Sequence, residues 1–202
     1  ENDNTGKTPE ETVVAFTYEL DVTKYLGDKD KLADDNEGTK AGFKLSNADG
    51  SKWATVENMK ISGWVDSKDE ATQVETAADG TFKFIGLDDG TYVLHETKTP
   101  AGYNTMAPLE LKIVASTVQC QDYMESEEHD TPDEVFTKLE LKIGETTTNG
   151  TTSDGIVKTD IINQKGSSLP STGGIGTTMF YVGGGVLVAT QDLNDFFSLE
   201  DG

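Results

Sequence analysis

An all-β sandwich is the fold class this sequence predicts, and three observations predict it. Apolar and polar residues alternate over short segments, those segments are rich in β-branched and aromatic residues, and no long helical period competes with them. Gly, Asp and Asn turns separate the segments, as expected of two packed antiparallel layers. In chain order the clearest strand runs are 13–26, 42–45, 81–85, 90–96, 109–114, 139–143 and 156–163. Turn chemistry marks Asp49-Gly50, Asp79-Gly80, Asp89-Gly90, Asn149-Gly150 and Asp154-Gly155. Residues 1–11 have no apolar signal-peptide stretch and read as an inter-domain linker, so the start is expected to be an internal boundary of a longer precursor. The β-sandwich domain is placed at 12–165. Within it, the acidic stretch 119–134 is read as a solvated loop with a helical turn after Thr131-Pro132.

Composition narrows the function. The chain has 202 residues, 34% of them hydrophobic, which supplies one core and long polar loops. A net charge of −21 repels phosphates and anionic headgroups, so nucleic acid is not expected as a partner. Cys120 is the single cysteine and reads as a small packed side chain; no intrachain disulfide can form. His95 and His129 are the only histidines, and no metal or cofactor site is expected. The segment 28–33 opens like a calcium loop, but Leu32 stands where an oxygen ligand is needed and Ala33 where glycine is needed, which excludes an EF-hand. Asn149-Gly150-Thr151 matches a glycosylation acceptor and is read as a hairpin turn.

Strand parity singles out three polar residues. In the first strand Phe16, Tyr18, Leu20, Val22 and Leu26 share one face, and Lys24 falls on that apolar face. Lys44, Lys83, Lys112 and Lys142 lie between apolar neighbours and should face water. Glu96 shares a face with Tyr92 and Leu94, although Val93 on the other side weakens that phase; Asn163 shares one with Val157, Thr159 and Ile161, with Ile162 the exception. Each would cost several kcal/mol if buried apart, so the trio makes sense chiefly if the three side chains meet. Desolvation would then lower the lysine pKa and raise that of the glutamate, giving a nucleophilic amine beside a carboxylic acid. The amine can attack the Asn163 carboxamide while Glu96 moves the proton and ammonia leaves, a single-turnover reaction that is not enzyme activity. Parity alone leaves a second arrangement open, with Lys24 snorkelling at a strand end, Glu96 ion-paired to it and Asn163 capping a turn.

The run 86–103, with Tyr92-Val93-Leu94-His95-Glu96-Thr97 followed by Pro100-Ala101-Gly102-Tyr103, resembles the E-box of the collagen-adhesin B-type (CnaB-like) domains of Gram-positive pilins. Leu20-Asp21-Val22-Thr23-Lys24 resembles that family's first strand, and Asp160-Ile161-Ile162-Asn163-Gln164-Lys165-Gly166 its last. The resemblance implies a reversed immunoglobulin-like, transthyretin-like sandwich whose first and last strands lie side by side, cross-linked between Lys24 and Asn163 with Glu96 as proton shuttle.

Beyond the domain, 166–174 is a spacer and motif in which Leu169-Pro170-Ser171-Thr172-Gly173 resembles a sortase sorting signal. That resemblance implies cleavage between Thr172 and Gly173 and transfer of the threonine carboxyl to a neighbouring pilin subunit or to peptidoglycan, hence an extracellular, wall-attached or pilus location. The apolar stretch 175–189 is shorter than the roughly 20 residues of a membrane-spanning helix, and 191–202 carries Asp192, Asp195, Glu200 and Asp201, against the family's basic tail. No Tyr-Pro-Lys type motif occurs, so a lysine for polymerisation is expected upstream. The leading expectation is the C-terminal domain of a pilus backbone subunit. The alternative is a wall-anchored adhesin or basal pilin using this domain as a stalk, with host matrix met by regions outside this chain. A hydrolase on the same fold would need a polar catalytic cluster at an open site, which the residues do not suggest.

Overall fold

Alternation becomes strand structure throughout the computed structural model, which describes residues 16–117, 136–166, 179–182 and 185–188. The 1–11 linker, Cys120, the 119–134 loop with His129, the Leu169, Pro170, Ser171, Thr172 and Gly173 motif and the acidic 191–202 tail lie outside the described residues. Twelve strands form the main sheet: β1 (Tyr18–Leu26), β2 (Asp28–Leu32), β3 (Gly42–Asn47), β4 (Trp53–Glu57), β5 (Lys60–Val65), β6 (Val74–Glu75), β7 (Thr81–Leu87), β8 (Gly90–Lys98), β9 (Leu109–Thr117), β10 (Phe136–Ile143), β11 (Thr146–Asn149) and β12 (Ile156–Asn163). A separate hairpin of β13 (Met179–Val182) and β14 (Gly185–Val188) falls in the apolar 175–189 stretch. Among the described residues no helix is long and apolar enough to cross a membrane.

Strand order runs β11-β10-β9-β8-β3-β4-β5-β7-β1-β12, with β2 beside β1 and β6 beside β3. The sheet folds over itself: Phe43 of β3 stacks on Phe82 of β7 across the core, with ring centroids 4.2 Å apart. Its two ends also meet, where Thr151, just past β11, exchanges backbone hydrogen bonds with Ile156 of β12. The result is an all-β sandwich. β1 and β12 pair in parallel, the first described strand beside the last of the main sheet, while β7 flanks β1 antiparallel on its other side.

Burial follows the period of two. In β1 Tyr18, Leu20, Val22, Lys24 and Leu26 are buried while the residues between them are half-exposed. Lys44, Lys83, Lys112 and Lys142 all lie on the solvent side of their strands. Ile162 is buried together with Asn163, so β12 is covered on both faces near its end. Asp-Gly turns work through the carboxylate: Asp49 accepts from the Ser51 N–H at 2.9 Å and Asp79 from the Thr81 N–H at 3.0 Å. Gly80 has φ +73°, and a side chain there would meet Leu32 at 2.9 Å, so both backbone and space require glycine.

Three stretches differ from the sequence reading. Residues 28–32, whose opening looked like a metal loop, form β2 against β1. β4 and β5 form a hairpin whose turn is Asn58-Met59, both at positive φ (50° and 66°), a primed turn without the usual glycine. In the first strand run, expected over 13–26, residues 16 and 17 precede β1, which begins at Tyr18, and residues 13–15 lie outside the described residues.

Candidate functional site

The parallel register of β1 and β12 sets Lys24 opposite Ile161 and Leu26 opposite Asn163, so Lys24 and Asn163 point into the same interior two residues apart along the ladder. Glu96 arrives from the opposing layer, on β8, where it pairs with Phe43 of β3. Strong neighbours hold these positions. Val22 and Leu26 bracket Lys24 in the core, the Lys24 N–H donates to Gly80 O at 2.8 Å, and the Gly27 N–H donates to Asn163 O at 2.7 Å.

The three side chains meet. Lys24 and Asn163 are 0% exposed and Glu96 8%. Lys24 Nζ donates to Asn163 Oδ1, and Asn163 Nδ2 donates to Glu96 Oε1 at 2.7 Å. Lys24 Nζ lies 3.7 Å from the same Glu96 oxygen. The second oxygen, Oε2, accepts the Met106 backbone N–H at 2.7 Å. Phe43 places its ring centroid 5.6 Å from Nζ, and the Met106 thioether sulfur approaches Nζ to 4.0 Å.

Burial pushes the Lys24 amine down from 10.5 to about 8, because the ammonium loses its water, while the charge and hydrogen bonding of Glu96 pull partly the other way. At neutral pH roughly one amine in ten is therefore unprotonated, far more than for a lysine in water. Lys24 and Glu96 thus share ion-pair geometry while the ammonium is disfavoured by its surroundings, and desolvation is the larger of the two effects. Chemically, the cluster is a nucleophile-capable amine, an amide carbonyl in contact with it, and a carboxyl group touching the amide nitrogen.

Met106 and Phe43 belong to this cluster without having been marked as site residues by the sequence. Phe43 is legible as an inward residue of its strand; Met106 sits in the β8–β9 connection, where no periodicity applies. That connection also holds the end of the domain. Tyr103 bridges Lys165, the Asn104 N–H donates to Gln164 O at 3.0 Å, and the Gly166 N–H donates to Gly102 O at 3.0 Å.

A second polar cluster lies on the outer face. Ser46 Oγ, fully buried, donates to Asn47 O at 3.0 Å and shares a hydrogen bond with His95 Nε2 at 3.0 Å. His95 packs on Trp53, and burial together with Lys68 holds its pKa below the usual histidine value. A serine without exposure is a packing group here. Among the described residues no group of three or more His, Cys, Asp and Glu gathers as a metal site.

Among solved structures the chain is similar to the pilus 2b backbone protein of group B streptococcus, at 24% identity over 84% of this chain and 48% of that one, with a TM-score of 0.49. It is similar to a minor pilin of Streptococcus agalactiae, at 22% identity over 78% of this chain and 48% of that one, TM-score 0.43. It is also similar to the C-terminal domain of the shaft pilin SpaA of Lactobacillus rhamnosus GG, at 27% identity over 48% of this chain and 90% of that one, TM-score 0.38. The chain spans about half the length of the first two, 48% in each case. No curated protein sequence matches it. The SpaA prealbumin-like fold domain matches residues 28–128, half of the chain, from β2 through β9 and with the E-box and Glu96 inside it. The chain belongs to the SpaA family of prealbumin-like fold domains.

Proposed function

We propose that this chain is a structural domain of a Gram-positive surface pilin, made durable by an isopeptide bond between Lys24 and Asn163. The observation that carries the reading is the contact of Lys24 Nζ, the Asn163 carboxamide and the Glu96 carboxyl inside a core from which water is excluded. Neutral Lys24 Nζ attacks Asn163 Cγ; a C–N bond forms, the Cγ–Nδ2 bond breaks, and ammonia leaves. Glu96 takes a proton from Nζ and delivers it to Nδ2, so that amine plus carboxamide become a secondary amide plus ammonia. Fixed contact supplies the effective molarity that a free amine and amide lack. The reaction occurs once per molecule and is not turnover.

Leu169-Pro170-Ser171-Thr172-Gly173, close behind the cross-linked strand, supports attachment by a sortase through the Thr172 carboxyl to a neighbouring subunit or to the wall. A backbone subunit of the pilus is the reading we adopt. Intact mass of the folded protein tests the cross-link. The wild type should be lighter than its sequence by one ammonia, and Lys24→Ala, Glu96→Ala and Asn163→Ala should each show the full sequence mass. A wild type at full mass would remove the cross-link from the proposal and leave the attachment reading to be tested with sortase and a glycine peptide as amine.

A further inference from the structure

We propose that Met106 is a positioning residue for the Lys24–Asn163 reaction, its backbone N–H aiming the Glu96 carboxyl and its thioether closing the cavity over the Lys24 amine. The inference rests on the isopeptide reading above and adds to it a residue from outside the reacting trio.

A carboxyl group that must touch two reacting nitrogens cannot be free to rotate. Glu96 Oε2 is held by the Met106 N–H at 2.7 Å, which leaves Oε1 to face Asn163 Nδ2 at 2.7 Å and Lys24 Nζ at 3.7 Å. Without that third contact the carboxyl could turn about its terminal bond, and the oxygen that touches both nitrogens would be lost part of the time.

The side chain acts on the amine. Around Nζ stand Glu96 from β8, Asn163 from β12, the Phe43 ring from β3 and the Met106 sulfur from the β8–β9 connection. Among the described residues Glu96 is the one charged group acting on the amine. Met106 is 3% exposed, and its thioether is a weak acceptor that cannot solvate an ammonium as water does. Covering Nζ with it keeps the site dry and favours the neutral, nucleophilic amine. The connection is itself anchored at Gln164 and Gly166 and, through the Ala101 N–H to Gly38 O at 3.1 Å, to the β2–β3 loop, so the segment leading into Met106 is held by two separate parts of the fold.

The experiment follows bond formation in the full chain. Protein kept in denaturant from synthesis onward, hence never folded, is transferred to buffers from about pH 6 to about pH 10, quenched at intervals and weighed. The wild-type rate should rise about tenfold per pH unit and level off once the amine is neutral. Met106→Leu keeps the N–H and an apolar cover and should stay within about threefold of wild type. Met106→Ala keeps the N–H but opens the cover, so its rate at neutral pH should fall about tenfold or more while the pH midpoint moves up towards that of a solvated lysine. Met106→Val, which stands in if the alanine variant does not fold, should fall between the two in both rate and midpoint. An alanine or valine variant folded by circular dichroism that shows wild-type rate and midpoint overturns the proposal, as does a leucine variant as slow as alanine. A wild type that never loses ammonia overturns the isopeptide reading itself, a result distinct from either.

Discussion

Lys24 carries its nitrogen into a place that water does not reach, and the chain meets that cost with a Glu96 carboxyl oxygen and the Asn163 amide oxygen, drawn from distant strands. The pH consequences have a definite sign. In Asn163→Ala the amine persists, and the groups that set its folded value, burial and Glu96, remain. With the folded value near 8 and the ordinary one at 10.5, the unfolded chain binds more protons across that window. Stability should therefore rise with pH between the two values, by on the order of 3 kcal/mol in total, and be flat on this account below the lower one. In a wild type carrying the proposed cross-link the nitrogen is an amide and the rise is absent. Tyr18 and Tyr92, both raised by burial, occur in both proteins, so the difference between their urea midpoints at a series of pH values isolates Lys24. A constant difference would show that the buried amine keeps its ordinary pKa. Parity along a strand made Lys24, Glu96 and Asn163 legible as inward residues, because a period of two assigns each residue a face whatever its chemistry. It could not reach Met106, since a connection between strands has no period and its backbone N–H points wherever the loop directs it.

Among elements, legibility depended on how each strand signals itself. β1, β3, β7, β8, β9, β10 and β12 alternate clearly and carry the core. β2 reads Asp28-Lys29-Asp30-Lys31-Leu32, a charged string with no apolar face, and becomes a strand by pairing along β1. β4 opens on two consecutive buried residues, Trp53 and Ala54, and its hairpin turns on Asn58-Met59 where Asn-Gly would have announced it. Met59 is 48% exposed at φ 66°, a conformation that costs an L-residue about 1–2 kcal/mol. Met59→Gly should relieve part of this and stabilise the protein by about 1 kcal/mol, seen as a higher urea midpoint with unchanged slope. A loss of stability would mean that the Met59 side chain contributes more by packing than its backbone costs.

For the whole molecule, the decisive fact is that β1 and β12 are neighbours although Lys24 and Asn163 stand 139 positions apart. The proposed cross-link would close so long a loop that unfolded-chain entropy falls by an amount equivalent to about 5 kcal/mol on the chain-entropy model used for disulfides. Asn163→Ala should accordingly unfold at much lower temperature than the linked protein, by more than removal of a single buried contact would give. Calorimetry of both proteins checks this, and equal transitions would place the stability in the core alone. Tight pairing of Gly102, Tyr103 and Asn104 with Gln164, Lys165 and Gly166 adds a consequence for distance. Thr172 lies six positions beyond Gly166. Such a leash extends at most about 20 Å even when pulled straight. Any transpeptidase that reaches Thr172 must therefore work within a few nanometres of the rim where the last strand ends, and the shape of that rim belongs to what it has to accommodate.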